Sequence, residues 1–321
     1  MGKLVKHMKF GIQHPSFSFD GQGSDMINSL STLARTGEQL GFDSFWLMDH
    51  FHQIQNVGRQ EEPMLEGWTG ISVLAGVTSK IKLGTMVTGN IYRHPSVLAK
   101  IGATMDVLSK GRLIMGLGAG WNDLESRAYG IPFPSTRERL ERLDEAVQLI
   151  KKMWTEERAN FSGKYYKLEN ALCNPKPIQK PHPMILIGGG GEKRTLRTVA
   201  KYGDACNLFG SPATVKKKLD VLREHCAAVD RDYGSILKTK LTRVLISEDL
   251  GMIESSVEKM SKILPPGMSL KEAMIYGSPE QIRDQVREFA NVGVEYLITS
   301  YSGERELLSM KLFGEKVLPQ F

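Results

Sequence analysis

The apolar run Phe45, Trp46, Leu47, Met48 ends directly in Asp49 and His50. Such runs normally close on turn residues such as Gly, Asn or Ser. An imidazole at a strand end can give or take a proton near neutral pH, and a neighbouring carboxylate can orient or charge it. Adjacent strand residues point to opposite faces, so the two side chains need not work on the same side. Three further places carry chemistry. The run at 82–87 passes into Thr88, Gly89 and Asn90, two polar side chains around a glycine that breaks the strand. The run at 113–117 leads into Gly116, Leu117, Gly118, Ala119 and Gly120. Those alternating glycines let a large group lie against the backbone; small residues filling a tight corner would read the same way. The run at 184–187 ends in Gly188, Gly189, Gly190 and Gly191, ahead of a helix expected to begin near Glu192. Bare amides at a helix N-terminus suit a phosphate or carboxylate.

These places need a frame that brings strand ends together. Eight short apolar runs recur along the chain, at 9–13, 44–48, 82–87, 113–117, 184–187, 205–209, 241–246 and 295–299. Most lack strict alternation, as parallel strands buried on both faces do. Punctuated helices separate them. Ser135 and Glu138 form a capping box ahead of the stripe Leu140, Leu143, Val147, Ile150. Ser211-Pro212 and Ser278-Pro279 each supply a cap followed by a first-turn proline. Pro95 opens a helix that closes at Lys110-Gly111. Eight such units in 321 residues predict a (β/α)8 TIM barrel, read as a single domain over 1–321, with an open doubly wound sheet as the alternative. In such barrels the strands' C-terminal ends carry the chemistry, and all four places above lie there. The long connections at 51–66 and 155–182 are expected to wall the pocket, with a small hairpin at 161–166 and an extended stretch at 174–177.

Bulk properties exclude other classes. Hydrophobic content is 41% and charged content 24%, ordinary for a globular chain. The three cysteines form no CxxC pair, which predicts neither a disulfide framework nor a zinc site and fits a reducing compartment. The opening MGKLVKHMKF has no apolar core of a secretory signal, and no apolar run is long enough to span a bilayer, so a cytoplasmic location is expected. The net charge of +6 is spread without basic blocks interleaved with aromatics, so neither nucleic acid nor membrane is the expected partner; a small-molecule substrate is.

The segments GFDSFWLMDHF, HPSVLAKIGATMDVLSKGR with the following GLGAGW, PMILIGGGGEKRTLRTVAKYGDACNLF and GSPEQIRDQVREFANVGVEYLI resemble the luciferase-like superfamily, and more narrowly its coenzyme F420-dependent oxidoreductases. The resemblance spans almost the whole chain. It implies a barrel with an insertion before strand 5, holding coenzyme F420 at the C-terminal mouth. It implies that His50 is the active-site histidine and Asp49 the acid contacting the cofactor. It places a non-prolyl cis peptide, behind the cofactor ring, at Met86-Val87. Gly188 and Gly189 match the phosphate-side backbone. Gly190, Gly118 and Gly120 are the further backbone candidates, and Thr88 and Asn90 candidates for the ring's polar edge. Trp68, Trp121 and Phe51 could wall the pocket. Members that oxidise glucose 6-phosphate carry a Glu after the glycine run; here that position is Trp121, which points instead to a flatter, more apolar substrate. A homodimer is expected through the apolar helix WTGISVLAGVTS. FMN is the alternative cofactor, either in a two-component monooxygenase or in a barrel that binds flavin without catalysis.

Overall fold

The computed structural model describes residues 8–18, 24–55, 57–262, 264, 267, 269–301, 303 and 305–321, so the opening residues 1–7 lie outside the described set. In chain order the strands are β1 (Lys9–His14), β2 (Ser44–Leu47), β3 (Lys82–Thr85), β4 (Thr88–Gly89), β5 (Leu113–Gly118), β6 (Ala159–Ser162), β7 (Lys167–Ala171), β8 (Met184–Gly188), β9 (Ala205–Leu208), β10 (Leu237–Ile246), β11 (Met274–Gly277) and β12 (Tyr296–Ser300). The helices are α1 (Ser24–Gln39), α2 (Gly67–Val77), α3 (Pro95–Leu108), α4 (Asp123–Ala128), α5 (Thr136–Thr155), α6 (Thr195–Tyr202), α7 (Pro212–Ala228), α8 (Leu250–Ser261), α9 (Leu270–Ala273), α10 (Pro279–Asn291) and α11 (Glu306–Lys316).

Strands β1, β2, β3, β5, β8, β9, β10 and β12 pair in parallel, and the β9–β10 pairing closes them into an eight-stranded barrel. The open sheet is thereby excluded. Burial on both faces follows from two separate cores. Trp46, Met86, Ile114, Leu186, Ala205, Tyr296 and Ile298 fill the barrel interior. A larger cluster including Phe10, Phe45, Leu83, Met115, Ile187 and Leu297 packs between barrel and helices. Interior glycines make room for Trp46: a Cβ on Gly84 would lie 2.6 Å from the indole and 2.4 Å from the Ile114 carbonyl.

Most of the predicted punctuation forms. Ser278 and Gln281 make a reciprocal capping box, Ser211 caps α7, and Gly111 takes a left-handed φ of 79° after α3. Ser135 caps α5 without the expected return bond from Glu138, whose carboxylate accepts from Arg142 at 2.8 Å instead. The 155–182 insertion carries the hairpin β6–β7. Buried Asp106 of α3 ties its return, accepting from the Ile178 amide at 2.7 Å and the Gln179 amide at 3.0 Å.

Three boundaries differ from the sequence reading. Helix α6 starts at Thr195 rather than near Glu192, because the glycine turn continues past Gly191 before the backbone becomes helical. A short parallel strand, β11, joins β10 outside the closed ring; the Gln285 side chain donates to the Tyr276 carbonyl at 2.8 Å and so covers its edge. Strand β10 begins four residues earlier than expected, since Lys238 and Lys240 obscure its N-terminal half. Lys238 is buried but paired with Glu295 at 3.1 Å.

Lys240 is buried without a carboxylate partner among the described residues, its ammonium 4.5 Å from the Phe289 ring centre. Burial pulls its pKa down to about 7. The unfolded chain holds that proton up to the ordinary lysine range, whereas the folded chain releases it near neutrality. The resulting penalty is full below about pH 7 and fades as pH rises. Lys240→Met is therefore expected to be more stable than the wild type at pH 7, with the gap narrowing by about 1 kcal/mol per pH unit toward pH 9. Denaturant titrations at the two pH values check this; a constant gap contradicts it.

Candidate functional site

A cavity of about 290 Å³ opens at the C-terminal ends of the strands. Its walls include His50, Met86, Val87, Gly118, Gly120, Trp121, Gly188, Gly189 and Gly190, all expected from the sequence, together with Tyr92, Asn207 and Phe209. Strand β3 stops at Thr85, the Met86-Val87 peptide is cis, and β4 resumes the path at Thr88. The Val87 side chain lies between the two glycine segments. A Cβ on Gly118 would come within 2.7 Å of it, and one on Gly188 within 2.9 Å. The two glycines therefore make room for Val87, whose side chain fills the wall between them.

His50 and Asp49 diverge, as neighbours at a strand end do. Asp49 turns away from the cavity and is fully buried. It takes a bidentate pair of hydrogen bonds from Arg93, at 2.6 and 2.9 Å, and Arg93 also donates to Glu66. Glu66 in turn caps α2, accepting from the Trp68 and Thr69 amides. Burial pushes the Asp49 carboxyl up, but Arg93 pulls it back toward the charged form, and the fork geometry is that of an ion pair. This network locks the end of β2, the start of α2 and the loop after β4 to one another.

Thr88 and Asn90 also lie behind the cavity wall. The Thr88 hydroxyl accepts from the Trp68 indole at 2.9 Å and meets Thr85 at 2.8 Å. Asn90 donates to the Tyr166 hydroxyl at 3.2 Å and lines a neighbouring cavity of about 480 Å³ with Arg93, His94, Phe133 and Arg142. Trp68 is buried beneath the site, and Phe51 packs on Tyr92 and Tyr129, with ring centres 4.9 and 4.8 Å away. Trp121 does border the cavity: it is 59% exposed and stands edge-on to His50, with ring centres 5.5 Å apart.

Two features escaped the sequence reading. Glu125, fully buried in the first turn of α4, accepts from His50 Nδ1 at 2.8 Å. It also accepts from the Tyr92 hydroxyl and the Phe51 amide. Burial would raise its carboxyl, but the His50, Tyr92 and Phe51 bonds outweigh it and hold the pKa below the ordinary value. Tyr92 is pushed up by burial and by that carboxylate, so it remains a donor. The signal was present in GLGAGWNDLE: Asn122 is an N-cap and Glu125 sits three residues on, where a Glu faces back toward the preceding loop. The second feature is Lys218, whose Nζ donates to the Gly190 carbonyl at 2.7 Å and sets a cation beside the glycine wall. Nothing in KKK at 216–218 distinguishes it from its neighbours.

A family model described as luciferase-like monooxygenase matches residues 8–261. The chain belongs to the luciferase-like monooxygenase family. It is 30% identical over 314 residues to an F420-dependent glucose-6-phosphate dehydrogenase of Kineococcus radiotolerans, covering 90% of this chain and 92% of that one. Among solved structures it is similar to an F420-dependent secondary alcohol dehydrogenase in complex with an F420-acetone adduct. That likeness has a TM-score of 0.82 at 19% identity, over 97% of this chain and 98% of that chain. It is also similar to the coenzyme F420-dependent tetrahydromethanopterin reductase of Methanopyrus kandleri, with a TM-score of 0.80 at 20% identity, over 98% and 99%. These two likenesses show that the barrel fold is shared.

Proposed function

We propose that this chain is a coenzyme F420-dependent oxidoreductase that moves a hydride between the deazaflavin and a small organic substrate. The observation that carries this reading is a single imidazole, His50, anchored on a buried carboxylate at the edge of a cavity walled by glycine backbone. The names of the relatives support the cofactor. Bound deazaflavin supplies an obligate hydride carrier, and the protein then has to position the substrate and manage one proton. Val87, Gly118 and Gly188 offer the face for the ring. The Gly188–Gly191 turn, with Thr195 at the start of α6 and Lys218 beside Gly190, is the place for an anionic tail. His50 holds or releases the proton through Nε2, because Nδ1 is engaged by Glu125. Trp121 and Phe209, both largely exposed at the rim, favour a flat, apolar substrate.

A homodimer is part of the same reading. Val73 of α2 is 40% exposed and Val97 of α3 is 54% exposed, apolar surface that a second copy would cover. Light scattering at micromolar concentration should give twice 35.8 kDa; a clean monomer removes the dimer. A cytoplasmic location fits three cysteines that are buried and free. The cofactor is tested by titrating the protein with F420 and with FMN under equal conditions. F420 should bind saturably, one per chain, and FMN at least about tenfold more weakly. Preferential FMN binding would instead indicate the oxygen-using monooxygenase, and binding of either without turnover the non-catalytic barrel.

A further inference from the structure

We propose that Glu125 is the positioning residue of this site: it fixes His50 in the tautomer that presents Nε2 to the cavity, and Tyr92 holds Glu125 in place. The role rests on the reading of His50 as the proton carrier, but the tautomer itself follows from the geometry alone.

A free neutral imidazole divides its proton between two nitrogens, and only one arrangement suits a given reaction. In this site Nδ1 lies 2.8 Å from Glu125 Oε2. An ionised carboxylate has no proton to give, so Nδ1 must carry the hydrogen whether His50 is neutral or cationic. Nε2 is left as the nitrogen available to the substrate. Neutral His50 can then accept a proton from a substrate hydroxyl through Nε2, and cationic His50 can return one to a carbonyl oxygen. Both directions of hydride transfer are served by one orientation.

Glu125 is built for this and for nothing nearer the substrate. Its side chain has no solvent exposure, so it does not touch a molecule in the cavity. Oε2 accepts from His50 and from the Tyr92 hydroxyl, and Oε1 accepts from the Phe51 amide with a longer contact of 3.4 Å from the His52 amide. It stands in the first turn of α4, where the helix dipole favours a negative charge. Tyr92 cannot drift away, because its ring lies under Gly89, where a Cβ would come within 2.8 Å of it, and against the Phe51 ring. The chain thus spends a whole ring of donors on keeping one buried carboxylate charged and aimed at Nδ1.

The test uses the cofactor-free protein first. The ¹⁵N signals of the His50 imidazole, assigned by their loss in His50→Ala, should show the Nδ1-protonated tautomer for the neutral ring. In Glu125→Gln, which keeps the shape but offers both a donor and an acceptor, the Nε2-protonated form should appear. In turnover, Glu125→Gln should lower kcat by roughly 10–100-fold with KM and cofactor Kd within about threefold of wild type. Tyr92→Phe should keep the tautomer and lose roughly threefold to tenfold in kcat. A wild-type ring protonated on Nε2 overturns the proposal, and that measurement stands even if Glu125→Gln does not fold. An unchanged tautomer and kcat in Glu125→Gln overturns it too. Should His50→Ala retain full turnover, the proton-carrier reading fails while the tautomer result remains separately decided.

Discussion

His50→Ala is expected to lower kcat at saturating cofactor by about 10²–10⁴-fold, the range lost when a general acid–base is removed. The imidazole reaches the cavity from the end of β2 and has its far nitrogen committed to Glu125, so no neighbouring group replaces Nε2. Tyr92, the other polar ring at the cavity, is held as a protonated donor to the same carboxylate. Cofactor Kd should change less than about tenfold, because the glycine wall and the Gly188–Gly191 turn are untouched. Gly189→Leu should do the reverse. Gly189 has a φ of +116°, a conformation that strains any L side chain, and the added bulk would enter the cavity. Cofactor Kd should rise at least about tenfold there, with kcat at saturation largely kept. Steady-state kinetics with the cofactor titrated to saturation separates the two. If His50→Ala regains full kcat once saturated, His50 only packs against the cofactor.

The second large effect concerns stability. Arg93→Met is expected to cost about 3–5 kcal/mol, since it leaves the Asp49 carboxylate buried without its fork of donors. The same Arg93 joins Glu66, so α2 loses a tie to the loop after β4 as well. Adding Asp49→Asn should recover much of the loss, because the stranded charge is then gone. Chemical denaturation of the two single variants and the double variant measures the coupling. A loss under about 1 kcal/mol in Arg93→Met would mean that the pair contributes no more than an exposed one.

The barrel was legible because its strands are buried on both faces: runs such as those of β5 and β8 carry no solvent side to interrupt them. The cavity walls were legible because glycines at strand ends are informative wherever a Cβ would collide, as at Gly118 and Gly188. Two kinds of residue were not. Lys240 reads as a surface lysine, and only packing against Phe289 makes it part of a strand's buried face. Glu125 reads as one of two acids in WNDLES, and its meaning comes from a partner 75 positions away. Local pattern places elements and glycines well, but it does not report which distant side chain a carboxylate will meet. Asp49 shows the same limit: the pair Asp49-His50 looks like one unit in sequence, yet the strand end sends Asp49 to Arg93 and His50 to the cavity.

The most direct test of the central claim is a single-turnover experiment without oxygen. Reduced F420 is bound to the protein and mixed with a panel of flat, uncharged carbonyl and enone compounds, while the absorption band from which the cofactor takes its name is followed. Return of that band with at least one compound, at an unchanged rate when oxygen is admitted, is the predicted result. Reoxidation that requires oxygen, or that proceeds only when reduced FMN replaces F420, would contradict the account.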